Sequence, residues 1–567
     1  MRARGFRFRL SPTLVRCFRA LPVPVALWAL VALTGLPSCG GPSSASVTDS
    51  LRVRVRQLDD RATVVDRQLL QPSVVRAYYA KHPSRAWPGG RVDQMVEAIR
   101  GVEQDGLNPS DYHLEAIQSL LERKDKRSAG DDADLDLLLT DATAGMIDHL
   151  RYGRVRPVSL NPAWNVDPRD DAPPLDSLLA VVAADRAPGS ALARMRPEHF
   201  VYQGLVAELD RLRKIEQAGG WPAVPDGPSL KPGARNARVA ALRHRLTVSG
   251  ELAAASAPDS SRYDTALVTA VRTFQSSHRL DENGVVDAGT LAALNTPVTE
   301  RIAQVRVNLE RARWVLGGLA EQDEFMLVNL PAFKCYLIRG GKVAWEARVQ
   351  IGQEARQTPT FRARLRTVVF NPPWTVPPTI LAEDVLKPIH EGKDVLAEKK
   401  LQVFDAQGKE VDPGSVDWDS TDPENFPYTL RQPPGPGAAL GRVKFEFPNP
   451  YSIYLHDTPH RELFDSKSRT FSSGCIRVEN PVQLAELLLA GQDGWTPEKI
   501  QQTIDQGETK HVALERRPSV LIVYWTVTVG ASGVRYGSDV YSLDPPLAAA
   551  LAGPPSLATN SGDRRTR

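Results

Sequence analysis

Tyr454-Leu455-His456-Asp457-Thr458, followed after a short loop by Arg469-Thr470-Phe471-Ser472-Ser473-Gly474-Cys475-Ile476-Arg477, is the stretch on which the reading of this chain turns. It sets one imidazole, one thiol and one guanidinium within a short span, and the thiol follows a glycine in a run of small, turn-forming residues. A thiol attacks a carbonyl usefully only as thiolate. An imidazole can take its proton or pair with it, so Cys475 and His456 have the make-up of a nucleophile and its base. Ser473-Gly474 supplies a sharp turn whose small side chains leave amide N–H groups free to face an oxyanion beside the sulfur.

The order of His, variable loop and Phe471-Ser472-Ser473-Gly474-Cys475-Ile476-Arg477 resembles the L,D-transpeptidases of the YkuD fold, which cross-link bacterial peptidoglycan. Wider matches resemble the large periplasmic, YcbB-like branch: Asn308 to Trp314, Asn371-Pro372-Pro373-Trp374-Thr375-Val376-Pro377, Leu440 to Phe445, and Leu521 to Thr526. The resemblance implies a multidomain α+β protein. It would comprise a helical scaffold, a small three-helix peptidoglycan-binding module and a mostly-β YkuD-type catalytic domain with an inserted capping subdomain.

Size and composition agree with several units. At 567 residues the chain exceeds one hydrophobic core, and its apolar share of 42% and charged share of 24% are those of globular protein. A net charge of +3, with no basic tract beyond the N-terminus, argues against nucleic acid as a partner. Residues 1–39 read as an export signal: an arginine-rich leader, then the apolar run Val23 to Leu36. Leu36-Pro37-Ser38-Cys39 resembles a lipobox, which would attach the protein to a membrane through a lipidated Cys39; an ordinary signal cut nearby is the alternative. Either way the protein is expected outside the cytoplasm, in the periplasm or cell envelope.

Two cysteines remain beyond the signal. Cys335 and Cys475 could form a disulfide in an oxidising compartment. Cys335, however, alternates with Phe333 and Leu337 in a strand-like run and reads as a small buried hydrophobe, whereas Cys475 sits in a polar glycine turn.

In chain order, 40–60 reads as a linker and 61–230 as the helical scaffold, where Val92, Met95, Val96 and Ile99 recur at helical spacing. His113 and His149 there read as packing or surface residues. Gly219-Gly220-Trp221-Pro222 marks a break. Residues 231–297 form a compact helical unit whose expected core is Val239, Leu242, Leu246, Val271, Phe274, Leu280, Leu291 and Leu294. It resembles the peptidoglycan-binding module, with a purely structural spacer as the alternative.

A bridging helix covers 298–320, read from Arg301 to Leu316. The catalytic domain covers 321–544, beginning with a β-meander turned at Gly340-Gly341. Between about 380 and 428 the β pattern stops, which marks the capping insertion, and strands resume from Arg431. Final strands are expected at Val520 to Val529 and Arg535 to Tyr541, and 545–567 reads as a disordered tail.

Roles follow by resemblance. Cys475, His456, Gly474, Ser473 and Asp457 match catalytic positions, with Asp457 acting through its backbone carbonyl and its carboxylate a bystander. Arg477, Tyr454 and Trp374 match substrate-binding positions, and Arg477 either binds a substrate carboxylate or braces its loop. The implied reaction cleaves the diaminopimelate–D-Ala bond of a tetrapeptide stem and forms 3-3 cross-links through a thioester. Hydrolysis by the same cysteine, as an L,D-carboxypeptidase, and a non-catalytic wall-binding protein are the alternatives. The implied partners are peptidoglycan stem peptides and glycan strands, and acylation by carbapenems is expected. No cofactor is called for, and a monomer is expected. A metal site at His456 and His460 is disfavoured because Thr458-Pro459 between them reads as a turn and not a helix face. A papain-like peptidase is disfavoured because there the Cys precedes the His.

Overall fold

The computed structural model describes residues 43–166, 168–169, 172–253, 260–319 and 322–555. The expected export signal and Cys39 lie outside them, as does the chain from 556. Among the described residues no helix is long and apolar enough to cross a membrane.

The N-terminal region is helical and is built around one long helix, Ala129–Tyr152. Ser128 caps it: its side chain accepts from Asp131 N–H while the Asp131 carboxylate accepts from Ser128 N–H, a reciprocal pair that satisfies two otherwise orphaned donors. Leu135, Leu138, Ala142, Met146 and Leu150 are buried within it. Asp141, also buried there, accepts from the amides of Leu70 and Gln71 at 2.7 Å each and pairs with His113 Nε2 at 2.7 Å. A buried carboxylate persists only when satisfied in this way. His149 Nδ1 lies 2.9 Å from the Tyr112 hydroxyl, so both histidines are buried packing residues.

The expected linker is not a tether. Ser44–Gln57 is a helix capped by Ser43, and Val47 and Leu51 bury against the scaffold core. Its polar look came from the exposed Arg52 and Arg56, which mask a short apolar stripe.

Three helices, Ala237–Ser249, Thr265–Ser277 and Ala288–Asn295, make the small module. Each starts on an Asx cap: Asn236, Asp264 and Asp287 accept from the amides of Arg238, Leu267 and Thr290. The expected core is buried as read, with Leu280 half-buried at its margin. Val298–Leu319 then runs back against the scaffold helix Phe200–Gln217, burying Val305, Leu309 and Leu316.

The C-terminal domain is one rolled sheet. Its strands run, in spatial order, Lys510–Ala513, Thr367–Phe370, Val443–Glu446, Leu455–His456, Ile476–Val478, Lys342–Gly352, Lys334–Arg339, Glu324–Asn329, Ser519–Val523 and Phe361–Arg364. Thr470–Ser472 pairs in parallel with the end of Lys342–Gly352. Phe361–Arg364, at one end of this path, is separated from Thr367–Phe370, next to the other end, by only Leu365-Arg366. The sheet must therefore curl until its ends nearly meet. Its concave face is filled by Met326, Leu337, Val349, Phe361, Phe445 and Ile476, and the helix Pro481–Leu489 adds Leu484 and Leu488.

Three expectations are corrected here. The insertion is not strandless: Gln402–Phe404 and Glu410–Val411 join Thr429–Gln432 and Trp374–Thr375 in a separate four-stranded sheet over its own core of Val385, Val403 and Leu430. Thr429–Gln432 thus belongs to the insertion and not to resumed catalytic strands. The run from Val520 splits at Tyr524-Trp525-Thr526, so that Val527–Gly530 pairs with Gly533–Tyr536 as a separate hairpin; 537–541 is not strand. The chain beyond Pro545 does not begin as a disordered tail, because Asp544–Ala552 is a helix that buries Leu547 and Leu551. Its Pro/Ala-rich composition hid two leucines one helical turn apart.

Candidate functional site

Strand pairing builds the site. Leu455–His456 and Ile476–Val478 run parallel, with Leu455 level with Ile476 and His456 level with Arg477. The Ile476 amide donates to Tyr454 O at 3.0 Å, which extends the pairing by one residue and sets Cys475 beside Tyr454. Side chains alternate along a strand, and level residues on neighbouring strands share a face. Leu455 and Ile476 are buried in the core. Tyr454, His456, Cys475 and Arg477 therefore project together from the opposite face. Lys444 is level with His456, and Gln350 with Arg477, so the row Gln350, Arg477, His456, Lys444 crosses four strands.

His456 is 4% exposed. Its Nδ1 lies 2.5 Å from Asp457 O. A carbonyl can only accept, so the proton sits on Nδ1 and Nε2 keeps its lone pair. Burial, then the charge of Arg477 and more weakly that of Lys444, push the imidazole down to about 3 against the raising effect of that backbone bond. The ring stands edge-on to Tyr454 at 5.5 Å between centroids.

The Cys475 thiol is also pushed up by burial. The Tyr454 backbone and hydroxyl oppose that rise, as do the charges of Lys444 and Arg477. Sγ also lies 3.6 Å from Ser452 O. Both shifts favour neutral thiol and neutral imidazole over the ion pair, so of the two roles open to the imidazole, taking the thiol's proton is the one the site favours. Cys475 and Cys335 are both free, and Cys335 is wholly buried in its strand.

The turn before the sulfur is held from several sides. Gly474 has φ +111°, and a Cβ there would meet Ile453 Cδ1 at 3.3 Å, so glycine is required. Its amide donates to Ser472 Oγ at 3.1 Å, and Ser472 Oγ donates to Cys475 O at 2.5 Å. The expected Gly474 oxyanion donor is therefore already engaged. The Cys475 amide makes no hydrogen bond among the described residues. Thr358 Oγ1 donates to Gly474 O at 2.7 Å, and the Tyr541 hydroxyl, donating to Gly352 O at 2.5 Å, fixes the strand that carries Thr358's own donor, Gly352 N.

Ser473 turns away from the sulfur and accepts from Arg356 Nη1 at 3.0 Å. The same nitrogen pairs with Asp384 of the insertion. Trp374, the first strand residue of the insertion sheet, opposes the rise that burial, first, and the neighbouring Cys475 give the Tyr454 phenol. The Asp457 carboxylate faces elsewhere, accepting from the Arg442 amide at 2.9 Å beside Gly441, where a Cβ would overlap it. Arg477 Nη1 donates to Gln350 Oε1 at 3.1 Å, and its buried Nε has no partner among the described residues.

The L,D-transpeptidase catalytic domain model matches residues 323–501, the model described as "Putative peptidoglycan binding domain" matches 235–294, and the scaffold domain model matches 72–209. Residues 323–501 are a YkuD L,D-transpeptidase catalytic domain. A protein of Haemophilus influenzae named "Putative L,D-transpeptidase" is 37% identical over 247 residues, which are 44% of this chain and 48% of that protein. The chain thus spans about half the length of the curated relative it matches. Crystal structures of L,D-transpeptidases from Xylanimonas cellulosilytica and Stackebrandtia nassauensis cover 53% of this chain and 99% and 96% of theirs. Their identities are 15% and 10% and their TM-scores 0.16 and 0.18, too low to carry an argument. In the YkuD domain, Lys444, Gln350, Thr358, Arg356 and Asp384 are site neighbours that the sequence reading did not single out. Lys444 alone left a signal, as a lone cation between the buried Val443 and Phe445.

Proposed function

We propose that the chain is a peptidoglycan L,D-transpeptidase that forms 3-3 cross-links through a thioester on Cys475. The observation that carries this is the shared face of Tyr454, His456, Cys475 and Arg477, with His456 held by a carbonyl so that Nε2 is the free base. Cys475 Sγ attacks the diaminopimelate–D-Ala carbonyl of a tetrapeptide stem as its proton passes to His456 Nε2. The oxyanion faces the Cys475 amide N–H. Collapse breaks the C–N bond, the departing D-Ala amine takes the proton from Nε2, and the thioester remains. The side-chain amine of a second stem then attacks, its proton passes to Nε2, and the C–S bond breaks to restore the thiol. Arg477, braced by Gln350, offers its unpartnered Nε–H to a stem carboxylate. The insertion, which reaches the turn before the sulfur through Asp384 and Arg356, acts as a lid that excludes water and so favours transfer over hydrolysis. The setting is the cell envelope, reached through the export signal, with Cys39 as the point of lipid attachment, and the protein works as a monomer. Carbapenems acylate the same sulfur.

The test is mass spectrometry of products from soluble disaccharide tetrapeptides. Dimers are expected from the parent and none from Cys475→Ala, and dimers that survive the substitution would refute the reading. Tripeptides without dimers from the parent would establish the carboxypeptidase instead.

A further inference from the structure

Away from the sulfur, a cavity of about 240 Å³ opens where the scaffold, the three-helix module and the Val527–Gly530/Gly533–Tyr536 hairpin meet. Three guanidiniums enter it, one each from the helices Phe200–Gln217, Ala237–Ser249 and Val298–Leu319. Arg211 is answered by Glu208, which it grips with two bonds at 2.7 and 2.8 Å. The other two form no ion pair among the described residues. Arg245 is 2% exposed and lies 4.0 Å over the Trp221 ring; its Nε donates to Leu294 O at 2.8 Å, and its buried Nη1 has no acceptor. Arg301 donates only to neutral groups, Gln304 Oε1, Thr296 Oγ1 and Ala293 O, and sits 4.9 Å from the Tyr536 ring.

A buried cation without a counter-charge is costly. Burial depresses both groups, Arg245 to about 10; Glu251, which also lines the cavity, opposes this at Arg245, and Tyr536 and then Glu300 oppose it at Arg301, without forming an ion pair with either. The carboxylate of Glu251 is itself taken up by Ser249 Oγ. The far wall is flat and uncharged: Phe274, His278 and Tyr536 stack at 3.8 and 5.1 Å, and burial keeps the imidazole neutral down to about 3. The volume falls below the roughly 300–1,000 Å³ of sites for larger ligands, so it suits the end of a chain or a short fragment.

We propose that this junction is a second peptidoglycan contact, which takes a carboxylate of the polymer between Arg245 and Arg301 against the Tyr536 and His278 rings. The proposal rests on the peptidoglycan reading above and extends it to a site made jointly by three parts of the chain. Two carboxylates of the polymer fit: those of the stem peptides, and the lactyl carboxylate exposed on glycan from which the stem has been removed.

The experiment is co-sedimentation of the full chain carrying Cys475→Ala with purified sacculi and, in parallel, with sacculi stripped of stems by an amidase. Arg245→Gln, Arg301→Gln and Thr273→Trp are compared with that parent. Thr273 is exposed at the cavity mouth, so tryptophan there plugs the opening without touching either arginine, and it decides the matter if an arginine variant melts. At least tenfold weaker binding is expected. Loss on intact sacculi alone identifies the stem carboxylate, and loss on stripped sacculi alone the lactyl carboxylate. Folded variants that bind both polymers within twofold of the parent overturn the proposal. Transfer by the unmutated chain on soluble tetrapeptides is scored separately, and its absence would strike the transpeptidase reading while leaving the binding result standing.

Discussion

Cys335 and Cys475 are one residue type in one rolled sheet, and burial drives both thiols up. They differ in what surrounds the sulfur. Cys335 sits on a core-facing strand position among apolar side chains and has only the Tyr336 backbone to oppose burial. Cys475 follows a strained glycine on the opposite face, with an amide, a phenol, a lysine and an arginine turned on it. Reactivity in this domain therefore depends on donors and cations placed where a negative charge will form, and on the partial exposure that Cys475 has and Cys335 lacks.

The sharpest way to break that contrast is to exchange the two sites' fates. Replacing His456 by Gln should cost about 10²–10⁴ in turnover, read as dimer formation, because the free Nε2 lone pair that takes the thiol's proton is lost. Cys335→Val should leave turnover unchanged and cost less than about 1.5 kcal/mol in a denaturant melt, as near-isosteric core exchanges do. Alkylation mapped by peptide mass spectrometry should label Cys475 in the native protein and reach Cys335 only after unfolding.

Tyr454→Phe sharpens the comparison further. It removes one donor from the sulfur, so the thiol should titrate higher and alkylate about tenfold more slowly at fixed pH for each unit gained. The pH profile of turnover should lack the usual histidine inflection near 6.5, since His456 stays neutral down to about 3, and should rise toward alkaline pH with the thiol. Stability should fall with acid, as it does in a carboxylate-dominated protein, but the loss should begin at a higher pH. Unfolded imidazoles bind protons below about 6.5. Folded His456 and His278 do so near 3 and His149 near 4, so the unfolded state holds more protons in that window and the melting temperature should fall as pH drops through it. The smallest effect belongs to Lys467→Ala. Its 2.6 Å pair with Asp281 joins the loop between His456 and Cys475 to the module, but both side chains are exposed, so the change should lie within about 0.5 kcal/mol.

Much of this was legible because local rules carried it. The apolar spacing of Val239, Leu242, Leu246, Val271 and Phe274 announces the small module, Gly340-Gly341 a hairpin, and Gly474 the turn before the sulfur. The reading failed where a composition average hid a short stripe, as in Ser44–Gln57 and Asp544–Ala552, or where a strand changed sheets, as at Tyr524. At the site, spacing alone found the His, Cys and Arg, and alternation on paired strands explains why they meet. Arg356, Thr358 and Asp384 left no trace: the first two reach the turn because Thr470–Ser472 pairs with the end of Lys342–Gly352 just before them, and Asp384 because the insertion folds back onto Arg356. The protonation state was also out of reach, since it depends on how deeply the imidazole is covered.

The Asp457 carbonyl has a consequence for which electrophiles the protein should notice. A carboxylate in that place would lend a full negative charge and let imidazolium persist; a peptide oxygen lends only direction. The pair therefore cannot store a charge-separated state in advance. Simple alkylators, which wait for sulfur anion to appear, should find it sluggish beside free cysteine in solution. Strained acyl compounds, whose own oxygen can settle against the Cys475 amide as the bond forms, should be favoured far beyond their intrinsic reactivity.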